Sequence, residues 1–310
     1  MAVKKTKKIK LKNYSPLRYP GGKSKLAPFV SLAIRKSNIQ NPVYIEPFAG
    51  GAGTALELLF DGIVSEIVIN DYDKAIYSMW RAILTNTRRF IKLIEKTPLN
   101  DEEWRRQKHI YSTQNKRYSL ELGFAAFYLN RTNRSGILSA GPIGGHDQTG
   151  NYLIDARFNK DDLIKRIKKI AQNRHRIHLY NYDVRTFLNV YAQKYIDNAF
   201  IYFDPPYYHK GKQLYKNFFE HKDHEQIRDL IVNLNCPWIV TYDDVKEIRE
   251  IYKAYEGYNF DLVYGVANTG VNSEIMFFSH RELVPSNKEL MDNKIKINFR
   301  VARKLYEEKE

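Results

Sequence analysis

Short apolar runs that end in glycine, proline or an acid recur along the chain and alternate with stretches of helical spacing. Residues 43–48 are β-prone and stop in a small-residue turn, 49–53; residues 54–60 then follow with helical periodicity. Residues 66–70 read as a second strand, and Asp73 is placed to N-cap the helix after it. The alternation resumes at 178, with strands at 178–182, 199–203, 238–242, 259–266 and 274–279. Helical patterns at 184–195, 224–234 and 245–255 separate them. Only the turn 267–273 divides the last two strands, so they should pair antiparallel. Between the two alternating portions, residues 81–175 hold helical segments, a Gly/Pro turn cluster at 141–145 and few convincing strands.

Alternating strand and helix predicts an α/β fold with a mostly parallel sheet covered on both faces. Each portion is too short for a full sheet. The economical reading is one discontinuous α/β domain, 14–80 and 176–284, interrupted by a mainly helical insertion, 81–175. A basic arm, 1–13, precedes it and a tail, 285–310, follows.

Charge sharpens this division. Fifty Lys and Arg stand against 35 Asp and Glu in 310 residues, a surplus of +15. Residues 1–12 carry six lysines and no acid, and 81–180 carry twenty basic residues against nine acidic, while 181–280 are slightly acidic. A surplus gathered in one arm and one block points to a polyanionic partner rather than to general solubility. No apolar run approaches the ~18 residues of a membrane span, and the lysine-rich start lacks the apolar core of a secretory signal. The single cysteine, Cys236, excludes a disulfide framework and a cysteine-built metal site. These features fit a cytoplasmic protein.

Candidate chemistry sits where strands end. Glu46-Pro-Phe-Ala-Gly-Gly-Ala-Gly53 follows a strand and precedes a helix, where glycines permit a sharp turn and close approach to a ligand. Asp71 ends the next strand, 21 residues after Gly50, where a carboxylate can accept from ribose hydroxyls. The spacing is not that of a dinucleotide fingerprint, but a nucleoside without pyrophosphate, such as S-adenosylmethionine, does not need the third glycine. Pro20-Gly-Gly-Lys-Ser24 is no phosphate loop, since Leu17 stands where that motif needs glycine. In Ile201-Tyr-Phe-Asp-Pro-Pro-Tyr207 a strand of bulky residues delivers Asp204 to the sheet edge, and two prolines fix the backbone. An acceptor carboxylate, the Pro205 carbonyl and the Tyr207 ring suit a planar exocyclic amine.

Taken in order, these motifs resemble the DNA adenine-N6 methyltransferases that include the GATC-methylating enzymes. The resemblance spans about residues 14–280 and rests on Arg18-Tyr-Pro-Gly-Gly-Lys23, Glu46-Pro-Phe-Ala-Gly50, Asn70-Asp71, Phe127-Tyr-Leu-Asn-Arg131 and Asp204-Pro-Pro-Tyr207. It implies a Rossmann-like methyltransferase domain, S-adenosylmethionine as methyl donor and double-stranded DNA as substrate, with no metal. It places Tyr19, Lys23, Pro47, Phe48, Gly50, Asp71 and Asp183 at the cofactor, and Arg18 at the DNA. Asp204, Pro205 and Tyr207 would be catalytic, on an adenine turned out of the helix, and 81–175 would be the recognition insertion. Whether a restriction endonuclease is its functional partner or the enzyme is an orphan stays open, as does the oligomeric state.

One segment departs from the GATC pattern. Here Asn130-Arg-Thr-Asn-Arg-Ser-Gly-Ile-Leu138 replaces the usual Asn-Gly-Leu segment with its further Arg and Asn, so the GATC site is not inherited. Arg131 and Arg134 are the candidate base contacts, against an ion pair as the alternative for Arg131. His221, Asp223 and His224 could suggest metal ligands, but Asp223 reads better as the N-cap of the helix at 224–234. Cys236 reads as a packed apolar residue. Tyr111, Tyr118, Tyr128 and Tyr152 lie in the basic block and could stack on bases, though most read as core. The rival substrates are cytosine N4 and adenine in RNA; the rival class is a silent DNA-binding module.

Overall fold

A computed structural model describes residues 13–18, 23–114, 117–209, 219–262 and 274–302. The basic arm through residue 12, Tyr19 and the turn 267–273 lie outside the described residues.

Eight strands form one sheet in the order β3-β2-β1-β4-β5-β7-β6-β8. They are β1 (Val43–Glu46), β2 (Glu66–Asn70), β3 (Ile177–Tyr180), β4 (Ala199–Phe203), β5 (Trp238–Asp243), β6 (Tyr258–Leu262), β7 (Glu274–Phe278) and β8 (Ile297–Val301). β1 to β5 pair parallel, and every residue of β1 and β4 is buried. That burial is why these strands read as continuous apolar runs. β6 and β7 pair antiparallel, as their short connection predicts, and β7 also runs against β5.

Strand order reverses between β1 and β4. Chain from β1 proceeds outward through β2 to β3, and chain from β4 proceeds the other way to β5. Such a switch point opens a crevice at the carboxyl ends of the strands, where the two sharpest motifs, 46–53 and 204–207, both emerge.

Several boundaries differ from the sequence reading. The run after Asp183 starts as one α-turn, Val184–Thr186, then continues as π-helix, Phe187–Tyr191, and 3-10 helix, Ala192–Asn198. Helix His221–Val232 is N-capped by Glu220, and Asp223 sits three residues further in, closing a reciprocal capping box. The tail at 285–310 carries a helix, Asn287–Asp292, and edge strand β8, where Arg300 within the strand and Lys296 just before it mark a protected edge.

After α1 (Ala27–Lys36) and α2 (Gly53–Phe60), α3 (Lys74–Thr85), α4 (Thr87–Lys96), α5 (Asp101–Thr113), α6 (Leu120–Thr132) and α7 (Lys160–Gln172) lie between β2 and β3. Asp73 caps α3 by accepting from the Ala75 and Ile76 N–H groups, and the helix runs past the expected break at 80. α6 lies close against α3 at Gly123, where a Cβ would come within 2.6 Å of the Ser78 carbonyl. Trp80 and Ile83 of α3 share one apolar cluster with Phe90, Phe124, Phe127 and Leu163, so the helical block is continuous with the sheet's core.

Candidate active site

The loop after β1 is shaped by its neighbours. Gly50 takes φ 47° and Ala52 φ 46°, left-handed values that glycine adopts freely and alanine only when held. Three contacts hold them. The Gly50 N–H donates to Asp71 Oδ2 at 2.8 Å, Trp80 Nε1 donates to the Gly50 carbonyl at 2.9 Å, and Ser15 Oγ donates to the Gly51 carbonyl at 2.5 Å. Asn70 joins three strand ends: its Nδ2 donates to the Pro47 and Tyr182 carbonyls, and its Oδ1 accepts from the Tyr182 N–H.

Asp71 also accepts from the Asp73 N–H through Oδ1, at 2.9 Å. Burial, with the nearby charge of Asp73, pushes its carboxyl up to about 7 against these two donors. Each oxygen keeps a further lone pair. Asp183 stands just beyond β3 and caps the next helical run, accepting from the Arg185 and Thr186 N–H groups and from Thr186 Oγ1. Burial raises it, but these hydrogen bonds outweigh burial and the net shift is downward.

Across the crevice, Asp204 follows directly on the end of β4. Its Oδ1 accepts from Thr241 Oγ1 at 3.1 Å and lies 3.3 Å from Lys23 Nζ. The Lys23 side chain is only 4% exposed, and its ammonium also donates to Tyr207 Oη at 3.1 Å and pairs with Glu274 at 3.2 Å. Burial lowers this lysine, yet Asp204, Glu274 and Tyr207 together carry it well above the ordinary value. Tyr207 Oη in turn donates to Glu274 Oε1 at 2.9 Å. Asp243, at the end of β5, accepts from the Tyr208 and His209 N–H groups and pins the chain leaving the proline pair.

A cavity of about 1060 Å³ joins the two halves. Phe48, Gly50, Asp71 and Asp183 line one side, with Lys23, Asp204 and Pro206 on the other. Phe48 and Phe219 meet edge to face at 5.9 Å and give it an apolar corner. Arg18, Asn130 and residues 136–139 continue the wall toward the helical block. The structure therefore brings Arg18, Lys23, Pro47, Phe48, Gly50, Asp71, Asp183 and Asp204 to one cavity. Pro205 is buried, and the Tyr207 hydroxyl engages Lys23 and Glu274; Pro205 and Tyr207 adjoin the cavity's lining residues Asp204 and Pro206.

The two candidate base contacts part company. Arg134 is exposed, in a turn whose N–H donates to the Gly141 carbonyl. Arg131 is 9% exposed, near the end of an α6 buried from Leu122 to Thr132, and its Nε has no hydrogen-bond partner among the described residues. Neither has an ion-pair partner within 4 Å among the described residues; Asp162, the acid that acts on Arg131, is paired with Arg166 instead. Tyr128 is core, while Tyr118 and Tyr152 are exposed.

Sequence reasoning missed Glu274, Thr241 and Asp243. Glu274 had a signal: an antiparallel strand starts at the edge where parallel strands end, and this one starts with an acid.

A sequence model of the D12 class of N6 adenine-specific DNA methyltransferases matches residues 19–266. The chain is 25% identical over 209 residues to the Type II methyltransferase M.MjaIII of Methanocaldococcus jannaschii, covering 62% of this chain and 68% of that one. Among solved structures it is similar to the rRNA methyltransferase aviRa from Streptomyces viridochromogenes, with a TM-score of 0.40 and 12% identity over 86% of this chain and 88% of that one.

Proposed function

Because the chain belongs to the D12 class of N6 adenine-specific DNA methyltransferases, we propose that it methylates N6 of an adenine flipped out of duplex DNA in one sequence context, with S-adenosylmethionine as donor. The observation that carries this reading is Asp204 at the cavity wall, its Oδ1 engaged by Lys23 and Thr241. Its other oxygen has no hydrogen bond among the described residues and serves as acceptor for an amine.

The residues present fit the donor. Phe48 and Phe219 offer an apolar corner for an adenine ring, Asp71 keeps lone pairs for ribose hydroxyls, and the turn at Gly50 lets backbone come close. When bound, S-adenosylmethionine supplies a methyl group on a sulfonium. The protein's own contribution is alignment. Asp204 and the Pro205 carbonyl accept the two N6 hydrogens and turn the nitrogen lone pair toward the methyl group, while Tyr207 stacks on the extruded base. Alignment accounts for most of the effect, because the amine becomes acidic only as the new bond forms.

Residues 14–80 and 176–284 form the catalytic part in this reading, and 81–175 read the DNA. Arg134 and Arg18 contact the duplex directly; Arg131 reinforces the positive potential behind them. The Type II relative makes an endonuclease of matching specificity the functional partner to seek. Incubation of the purified chain with unmethylated plasmid and labelled S-adenosylmethionine, followed by nucleoside analysis and methylation-sensitive sequencing, tests the reading. N6-methyladenine in one motif is expected. N4-methylcytosine, or label in RNA alone, would overturn it.

A further inference from the structure

Glu274 opens β7 at the edge where Asp204 follows β4, in register with Asp243 of β5. Its side chain turns inward to a group of three. Oε1 accepts from Tyr207 Oη at 2.9 Å and from Lys23 Nζ at 3.4 Å, and Oε2 lies 3.2 Å from the same ammonium. Lys23 Nζ is thus nearly equidistant from two carboxylates, 3.2 Å from Glu274 and 3.3 Å from Asp204. Only Asp204 of the pair lines the cavity.

Such an arrangement has a chemical consequence. An ammonium facing one carboxylate settles on it and occupies the lone pairs that an incoming amine needs. A second carboxylate on the far side divides the ammonium's hydrogen bonds. It also gives the Tyr207 hydroxyl an acceptor, which fixes the ring of the residue that stacks on the base. Bringing an extra carboxylate into a site this buried is unfavourable in itself, and Phe260, its neighbour on β6, offers it no charge.

We propose that Glu274 is a positioning residue for methyl transfer, holding Lys23 off the reactive oxygen of Asp204 and locking the Tyr207 ring. The proposal rests on the adenine-methylating reading above.

The test compares the parent chain with E274Q and E274A on unmethylated plasmid and labelled S-adenosylmethionine. E274Q keeps an acceptor for Tyr207 but removes the charge. Its kcat should fall about 10- to 100-fold while KM for DNA and for the donor stay within about threefold, as expected for an interaction that acts on the chemical step. E274A should fall further. A pH profile separates positioning from mere support. Lys23 is faced by Asp204, Tyr202, Tyr207 and Glu274; without the Glu274 charge its proton leaves more readily, so the alkaline limb of kcat in E274Q should lie below the parent's. If E274A does not fold, the isosteric E274Q alone decides. A kcat for E274Q within about twofold of the parent overturns the proposal, and so does a fall in kcat with an unmoved alkaline limb. A parent chain that makes no N6-methyladenine is a different failure: it removes the functional reading, and the inference with it, before any variant is compared.

Discussion

The carboxyl edge of the sheet and the helical block between β2 and β3 treat charge in opposite ways. At the edge Lys23 lies between two carboxylates, and Asp71 holds two backbone N–H groups. In the block, Arg131 is buried with Arg166, Arg18 and Arg157 acting on it. Burial first, then these guanidinium groups, depress it to about 10. Asp162 opposes them, but its carboxylate is engaged by Arg166 at 2.6 Å. A buried cation short of counter-charge is unfavourable in the free protein. The charges at the edge are matched within the protein, whereas that of Arg131 is not; on the proposed function a polyanion would complete the block.

Breaking the complete region should have the largest effect. Asp204→Ala should lower kcat by at least about a thousandfold, or ~4 kcal/mol, with donor and DNA affinities nearly unchanged, because it removes an aligning acceptor and no binding surface. Asp204→Asn should be almost as severe, since its amide can present a donor where the amine needs an acceptor. Turnover within about tenfold of the parent, measured by single-turnover methylation, would remove Asp204 from its role.

Asp71→Ala comes next. It should weaken donor binding about 10- to 100-fold, ~1.4–2.7 kcal/mol, and leave DNA affinity of the donor-free protein unchanged. Part of this loss is indirect, because Asp71 also anchors the Gly50 and Asp73 N–H groups. Asp71→Asn, which keeps one acceptor oxygen, should lose less. Calorimetric titration with S-adenosylmethionine checks both, and unchanged affinity would exclude Asp71 from the site.

The same contrast explains what was legible in the sequence. Motifs at strand ends are local: a buried strand, a turn and one polar residue lie within a few positions, so Gly50, Asp71 and Asp204 could be found by pattern. Glu274 and Thr241 join the site only through strand order, which no local pattern carries. The burial of Arg131 had an available signal. Its helix, Leu-Gly-Phe-Ala-Ala-Phe-Tyr-Leu-Asn, has no polar face, and a helix apolar all round is a buried one. The π and 3-10 segments after Asp183 were illegible because their spacing is close to helical. β8, Ile297-Asn-Phe-Arg-Val301, does alternate apolar and polar positions, but the run is only five residues long and none of its positions is fully buried.

The incomplete region can be sharpened with two arginines. Arg134→Ala should relax discrimination at one base position by about 1–3 kcal/mol, the value of a good bidentate contact. Arg131→Met should instead weaken every duplex alike and reduce the salt dependence of binding by up to about 0.9 in slope, while removing a like charge and raising the free protein's melting temperature. Affinities for cognate and single-mismatch duplexes at two salt concentrations distinguish them. If Arg131→Met relaxed one position and Arg134→Ala did not, their assignments would be reversed.

The smallest effect tests whether the edge is as settled as its geometry suggests. Glu46, at the end of β1, accepts from Tyr44 Oη and from the Ala55 N–H in the first turn of the helix Gly53–Phe60. Burial nonetheless pushes its carboxyl up to about 8, against these two hydrogen bonds and with Asp204 adding to the rise. A carboxyl whose folded value lies above its unfolded one binds more protons when folded. Its stabilisation is therefore complete below the unfolded value, about 4, and is lost as pH rises through the folded value. Asp71 contributes the same sign up to about 7. His224, depressed by burial to about 4, contributes the opposite sign below its unfolded value of about 6.5. Of these three groups, only Glu46 still has most of its titration ahead between pH 7 and 8. The urea midpoint of the parent should fall across that interval, and Glu46→Gln should flatten much of the decline while keeping an acceptor for the Ala55 N–H. An equal slope in both proteins would show that Glu46 is already ionised at neutral pH.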